Sequence, residues 1–146
     1  MKAAEGKIGR VFVVRLEEGD MIPYCLEEFA KDNNIRVGLV TIIGGVGEGN
    51  VVTGPRHSDE MPPNPIIKPV KEAHEVLGTG FIAPNEDGSP VLHIHGVLGR
   101  DGQAIGGCLR PGVKTWLVGE AVILEITGTK SKRIMDEISG FALLEP

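Results

Sequence analysis

The chain has 146 residues, of which 41% are hydrophobic, enough for one packed domain over residues 1–146 and too few for two ordinary ones. Its net charge of −5 disfavours a sequence-independent nucleic-acid binder, because such binding needs Lys and Arg to neutralise phosphates. No run approaches the roughly 20 apolar residues of a membrane span, and the first residues lack a signal-peptide core, so a cytoplasmic protein is expected.

The first third of the chain predicts strand, helix and strand. Residues 10–16 are β-branched and apolar, which is typical of a strand. From Asp20 to Asn34, an N-cap residue, an early proline and apolar residues at helical spacing predict the one clear helix. Cys25 lies among those apolar residues and is interpreted as part of the core. Residues 37–47 predict a buried strand that ends in a glycine-rich bend.

Residues 54–72 contain five prolines and almost no periodicity, which predicts a long Pro-rich loop. Loops of this length often carry function. Arg56 and His57 are therefore candidate ligand contacts, with an exposed loop histidine as the simpler alternative.

The second half of the chain predicts consecutive strands joined by turns. The links N-E-D-G-S and G-R-D-G are typical of turns between antiparallel strands, so a meander is expected. A short polar-apolar stretch and a last apolar strand follow. The predicted strands of the meander are 74–83, 90–98, 103–109 and 115–127.

The most informative stretch is V-L-H-I-H-G-V-L-G-R-D-G-Q-A-I-G-G-C-L-R, residues 91–110. In a strand, alternate side chains share a face, so His93 and His95 point the same way, about 7 Å apart along the chain. Two imidazoles and the thiolate of Cys108 would suit zinc and leave a fourth tetrahedral position open. The alternative is a pair of ordinary strand histidines beside a small core cysteine.

Whether Cys108 joins the histidines depends on the register of the hairpin. A two-residue or four-residue loop is expected to place His93 opposite Cys108 and His95 opposite Gly106, with all three donors on one face. A type I turn with a bulge at Gly102 would instead turn Cys108 to the other face, unless a second bulge at Gly106 and Gly107 restored it.

Other polar residues could contribute to such a site. Glu120 interrupts an apolar strand predicted to lie next to the Cys108 strand, where it could be a fourth ligand, a partner of a histidine or a general base. Arg110 could place a cation beside the site, although a surface salt bridge is the simpler role. His74 begins the strand before the hairpin and is expected to be structural or exposed.

These motifs resemble those of the plants and prokaryotes conserved (PPC) domain. The resemblance rests on H-E-V-L-G-T-G-F-I followed by P-V-L-H-I-H-G-V-L-G-R-D-G-Q-A-I-G-G-C-L, and it extends in order over nearly the whole chain. It implies an α+β fold, with a mainly antiparallel sheet and a packed helix, assembled as a homotrimer.

The resemblance also implies a zinc site. Prokaryotic members usually carry a third histidine in G-G-H-L, and the matching residue here is Cys108, which keeps a competent zinc ligand but changes its charge and softness. His93, His95 and Cys108 are accordingly the predicted ligands. Plant members carry R-G-R-P hooks for DNA, which this chain lacks, so direct DNA binding is not expected.

Three functions remain as hypotheses. The first hypothesis, which requires the fewest assumptions, is a trimeric metal-binding module that holds a small ligand or partner segment at an open zinc. The second is a zinc enzyme in which Glu120 activates a metal-bound water and Arg56, His57 or Arg110 contact substrate. The third is a DNA-associated oligomerisation module.

Overall fold

Nine β-strands and one α-helix follow one another along residues 1–146 of the computed structural model. The elements are β1 (Lys7–Glu17), β2 (Met21–Ile22), α1 (Tyr24–Asp32), β3 (Gly38–Pro55), β4 (Pro65–Pro84), β5 (Pro90–Arg100), β6 (Gln103–Leu109), β7 (Val113–Thr127), β8 (Lys132–Met135) and β9 (Ala142–Glu145).

The first seven strands form one antiparallel sheet in the order β1-β7-β3-β4-β5-β6, with β2 paired to β7. The strands β8 and β9 form a separate hairpin at the end of the chain. Because β3 also pairs with β6, through Val51 with Leu109 and Val52 with Cys108, the long strands curl and bring β6 back against β3. The expectation of a mainly antiparallel sheet with one helix is confirmed.

The core lies between the inner face of this curled sheet and α1. The helix contributes Leu26 and Ala30, which are fully buried, and Cys25 packs against the same cluster, as predicted. The sheet contributes alternate residues of its long strands, such as Ile42 and Ile94. Alternation of this kind leaves every second side chain on the outer face, and this outer face carries the candidate site.

The structure differs from the predictions made from the sequence in three details. Asp20 does not cap the helix; the N-cap is Pro23, and the Asp20 carboxylate accepts the backbone N–H of Glu17. The Pro-rich excursion is shorter than residues 54–72, because β3 runs to Pro55 and β4 begins at Pro65. Proline is tolerated at these strand ends, where few ladder hydrogen bonds are needed.

The third correction concerns β7, which was expected to continue the meander beside β6. The meander stops at β6, and β7 crosses to lie between β1 and β3. The structure contains no helix with the length and apolar character to cross a bilayer.

One ion pair joins the edge strand β1 to its neighbour β7. Both Glu125 oxygens accept hydrogen bonds from the Arg10 guanidinium, at 2.8 Å from Nε and 2.7 Å from Nη2, and the Arg10 backbone N–H adds another at 3.0 Å. These hydrogen bonds lower the pKa of the Glu125 carboxyl from 4.5 to about 2.

This lowered pKa makes a contribution to stability that depends on pH. A carboxyl with a depressed folded-state pKa stabilises the fold above its unfolded pKa and loses that effect as pH falls through the folded value. We expect Glu125→Gln to lower the melting temperature by several degrees at pH 7, with the deficit shrinking between pH 4.5 and about 2. Glu17→Gln, at an exposed pair with Arg15, is the control and should behave like the parent throughout. A Glu125→Gln deficit that stays constant down to pH 2 would contradict this account.

Candidate metal centre

Strand β5 presents its two histidines to the outer face because of simple alternation. Leu92, Ile94 and Leu98 point into the core and are at most 4% exposed, while His93 and His95 point outward. The apolar residues therefore fix the orientation of the strand, since a slip by one residue would bury both imidazoles and expose the apolar set.

The turn between β5 and β6 sets which residues face these histidines. Asp101 and Gly102 form the two-residue turn, with φ of 48° and 69°, the pair of left-handed conformations that a type I′ turn requires. Arg100 pairs with Gln103, and counting back along the ladder places His95 opposite Cys108. The ladder between β5 and β6 contains no bulge from the turn to this pair.

This register differs from the one predicted. His93 was expected opposite Cys108 and His95 opposite Gly106, but Cys108 faces His95 and Gly106 faces Val97. The turn is centred one residue further along the chain than the prediction assumed. The partner of each β5 residue is therefore two residues later on β6 than predicted. Because side chains alternate with a period of two, Cys108 still shares the outer face with both histidines.

The three side chains converge on a small volume. The Nε2 atoms of His93 and His95 are 3.1 Å apart, with their rings edge to face at 82°. One ring nitrogen of each histidine and the Cys108 sulfur all lie within 4.8 Å of one another. In a tetrahedral zinc site with bonds of about 2.0–2.3 Å, neighbouring donor atoms lie roughly 3.3–3.7 Å apart. The spacing of the two imidazole nitrogens is close to this range, and the 4.8 Å limit of the whole cluster is about 1 Å wider, so an ion bound here would draw the three side chains slightly together.

The electrostatic environment favours the neutral form of His93. Partial burial of the ring lowers the pKa of His93, and the positive charges of His95, Arg133 and Arg110 lower it further. A neutral imidazole is the form that binds a metal, because its ring nitrogen then has a free lone pair.

Glycine at position 107 lets β6 approach β3 closely enough to hold Cys108 in place. A Cβ atom at Gly107 would lie 2.2 Å from the carbonyl oxygen of Val52 and 2.9 Å from Val51. The next residue, Cys108, pairs with Val52 on one side and His95 on the other. The close approach at Gly107 thus fixes the cysteine between two strands.

The other predicted site residues lie elsewhere. Glu120 is on β7, where it pairs with Arg15 of β1 and Ile43 of β3, so its expected position beside the Cys108 strand is wrong. Arg56 and His57 lie in the exposed loop between β3 and β4. His74 is half-buried, and its Nδ1 lies 2.9 Å from the carbonyl oxygen of Glu72.

Arg110 is exposed at the end of β6, and its positive charge contributes to the lowered pKa of His93. A second arginine, Arg133, also acts on His93 and was not predicted. It belongs to β8, far from the hairpin in sequence, and its surrounding segment has no motif that would have identified it.

The Plants and Prokaryotes Conserved (PCC) domain matches residues 3–127 of this chain, so the chain belongs to that family, called PPC above. Among curated proteins, no sequence is significantly similar to it.

Solved structures share the fold over the full length. A metal-containing protein from Archaeoglobus fulgidus is 26% identical with a TM-score of 0.86, and all of both chains are covered. A PPC protein from Pyrococcus horikoshii is 24% identical with a TM-score of 0.86, covering 100% of this chain and 98% of the other. A protein from Bacteroides thetaiotaomicron with a DNA-binding designation is 23% identical, with a TM-score of 0.77 and 96% of each chain covered.

The role of Gly107 can be tested with its neighbour as a matched control. We expect Gly107→Ala to destabilise the protein by about 1–3 kcal/mol, because its methyl group would collide with the β3 backbone. Gly106→Ala should cost far less, since its nearest neighbour would be 3.6 Å away. Chemical denaturation of both variants measures the difference, and equal stabilities would refute the tight β3–β6 contact.

Proposed function

We propose that this protein is an oligomeric zinc-binding PPC domain that holds a small ligand at an open metal site. The observation that carries the proposal is the convergence of the His93, His95 and Cys108 donor atoms within 4.8 Å on the outer face of the sheet. In this proposal His93, His95 and Cys108 are the metal ligands.

The chemistry of the donor set suits zinc. Two imidazole nitrogens and one thiolate are borderline and soft ligands, which zinc accepts and which calcium and magnesium do not favour. Three protein ligands leave one tetrahedral position for water or for a ligand from solution, and zinc bound there would act as a Lewis acid. Both histidines are exposed, so a small molecule can reach that position. The metal-containing character of the Archaeoglobus fulgidus protein, which shares the fold, supports the same assignment.

The outer face also supports self-association, which we propose forms a homotrimer. Ile43, Leu77 and Val97 lie side by side across β3, β4 and β5 and are 51%, 66% and 51% exposed. A row of large apolar side chains open to water is typical of a protein–protein interface. The row next to it contains His95, so an associated subunit would lie beside the metal site.

A binding module fits this chain better than the two other hypotheses. Glu120, the only base suggested for a zinc enzyme, lies on β7 and does not face the metal ligands within the chain. DNA binding would require a cationic surface, and the net charge of the chain is −5.

Metal binding can be measured on protein purified without a histidine tag. We expect about one zinc per chain after dialysis, by elemental mass spectrometry, and an affinity loss above about 100-fold in His93→Ala and Cys108→Ala, because each removes a ligand. His74→Ala and Cys25→Ala are matched controls that should keep the metal. Full zinc retention in both ligand variants would eliminate the proposed site.

Self-association can be measured by sedimentation or light scattering. We expect a mass three times the 15.6 kDa of one chain, and dissociation in Leu77→Lys, because a buried ammonium at the centre of the apolar row would be costly. Leu143→Lys, at a 50% exposed leucine on β9, is the control and should leave the mass unchanged. A monomeric parent protein would rule out the trimer.

A further inference from the structure

A second apolar region of the molecule lies between the sheet and the terminal hairpin β8–β9. Val37 is only 1% exposed, yet it does not belong to the core cluster between the sheet and α1. The hairpin is attached to the sheet by Arg133 of β8, whose Nη2 donates a 2.9 Å hydrogen bond to the carbonyl oxygen of Phe81. A cavity remains between the two layers, because residues from both of them line it.

The walls of this cavity are mainly apolar. Its volume is about 440 Å³, within the range of roughly 300–1,000 Å³ that is typical of small-molecule sites. Seven of its twelve lining residues are hydrophobic. The large ones among them are Ile8, Val37, Phe81, Ile126 and Leu144. Such walls favour a ligand with an aliphatic part, which gains free energy by leaving water.

The exposure of the lining residues gives the cavity an open end and a closed end. Lys7 and Ile8 of β1 are exposed, so the mouth of the cavity lies beside β1. Val37 and Ser131 are 1% and 5% exposed, so they form its floor. A ligand would therefore enter past Lys7 and extend towards Val37.

The polar groups at the mouth favour an anion. Lys7 is the single charged side chain in the lining, and it forms none of the four ion pairs of the chain. Thr129 lies beside it, since a Cβ atom at Gly6 would be 2.9 Å from the Thr129 Cγ2 methyl. The Thr129 hydroxyl is buried and has no hydrogen-bond partner. A carboxylate would accept hydrogen bonds from both the ammonium and the hydroxyl.

We propose that this cavity binds a short aliphatic carboxylate, with the carboxylate at Lys7 and Thr129 and the chain against Val37 and Phe81. The site uses no metal, so it does not rest on the proposed zinc function. The two sites are neighbours, because Phe81 pairs directly with His93 across β4 and β5, and directly opposed residues share a face of the sheet.

Calorimetric titration of the full chain in a buffer with EDTA tests the site without metal. Sodium octanoate is the probe. Butanoate keeps the charge and shortens the chain by four methylenes, whereas octan-1-ol keeps the chain and removes the charge. We expect saturable octanoate binding that is about 100-fold tighter than butanoate binding, because each added methylene leaves water. Octan-1-ol should bind about threefold to tenfold more weakly than octanoate, a modest factor because Lys7 is exposed.

Two adjacent leucines of β9 provide a matched pair for the apolar wall. Leu144 lines the cavity and Leu143 does not, and the two residues are 41% and 50% exposed. We expect octanoate affinity to fall about 10-fold in Leu144→Gln, because an apolar contact with the chain is lost, and to stay at the parent value in Leu143→Gln.

Two exposed lysines provide a matched pair for the carboxylate. Lys7→Gln should lower octanoate affinity to the level of octan-1-ol and leave octan-1-ol binding unchanged, because only the charged contact is removed. Lys31→Gln, at an exposed lysine of α1 outside the cavity, should bind both compounds like the parent.

Three results would each overturn the inference: octanoate that binds no tighter than butanoate, equal octanoate affinity in the two leucine variants, or undiminished octanoate affinity in Lys7→Gln. All four substitutions are at exposed positions, and circular dichroism checks that each variant is folded. If one is not, the chain-length series on the parent protein decides the question. EDTA is present throughout, so these results are independent of zinc, and zinc retention in His93→Ala and Cys108→Ala tests the proposed function separately.

Discussion

The candidate site depends on one backbone constraint, the register that the Asp101–Gly102 turn imposes on β5 and β6. Both turn residues adopt positive φ, so the hairpin closes without a bulge and Cys108 pairs with His95. A slip of one residue would turn the sulfur into the interior and leave two exposed imidazoles with no third donor. The close β3–β6 contact at Gly107 supports the same register from the other side of β6.

Around this hairpin the fold gathers groups that are distant in sequence. The curled sheet places an apolar row, Ile43 to Val97, next to the row that contains His95. The terminal hairpin places Arg133 against the β4 strand that backs His93. The three proposed metal ligands and the apolar row proposed as the subunit contact therefore share one face of one sheet.

Much of this arrangement follows from local sequence, and the remainder depends on long-range topology. Alternation alone puts His93 and His95 on one face, and the apolar patterns locate the strands. The exact register is not local, because an Asp-Gly pair is compatible with both a type I′ turn and a bulged turn. Glu120 was misplaced because nothing in its segment indicates that β7 crosses to lie between β1 and β3. Arg133 was missed for the same reason, since its partner Phe81 is 52 residues away.

The central claim is that the hairpin directs two imidazoles and one sulfur at a single metal ion. X-ray absorption at the zinc edge tests it most directly, because sulfur and nitrogen scatterers are distinguished by bond length. The account predicts one sulfur at about 2.3 Å and imidazole nitrogens at about 2.0–2.1 Å, with the sulfur contribution lost in Cys108→Ser. A zinc shell made only of nitrogen and oxygen in the parent protein would contradict it.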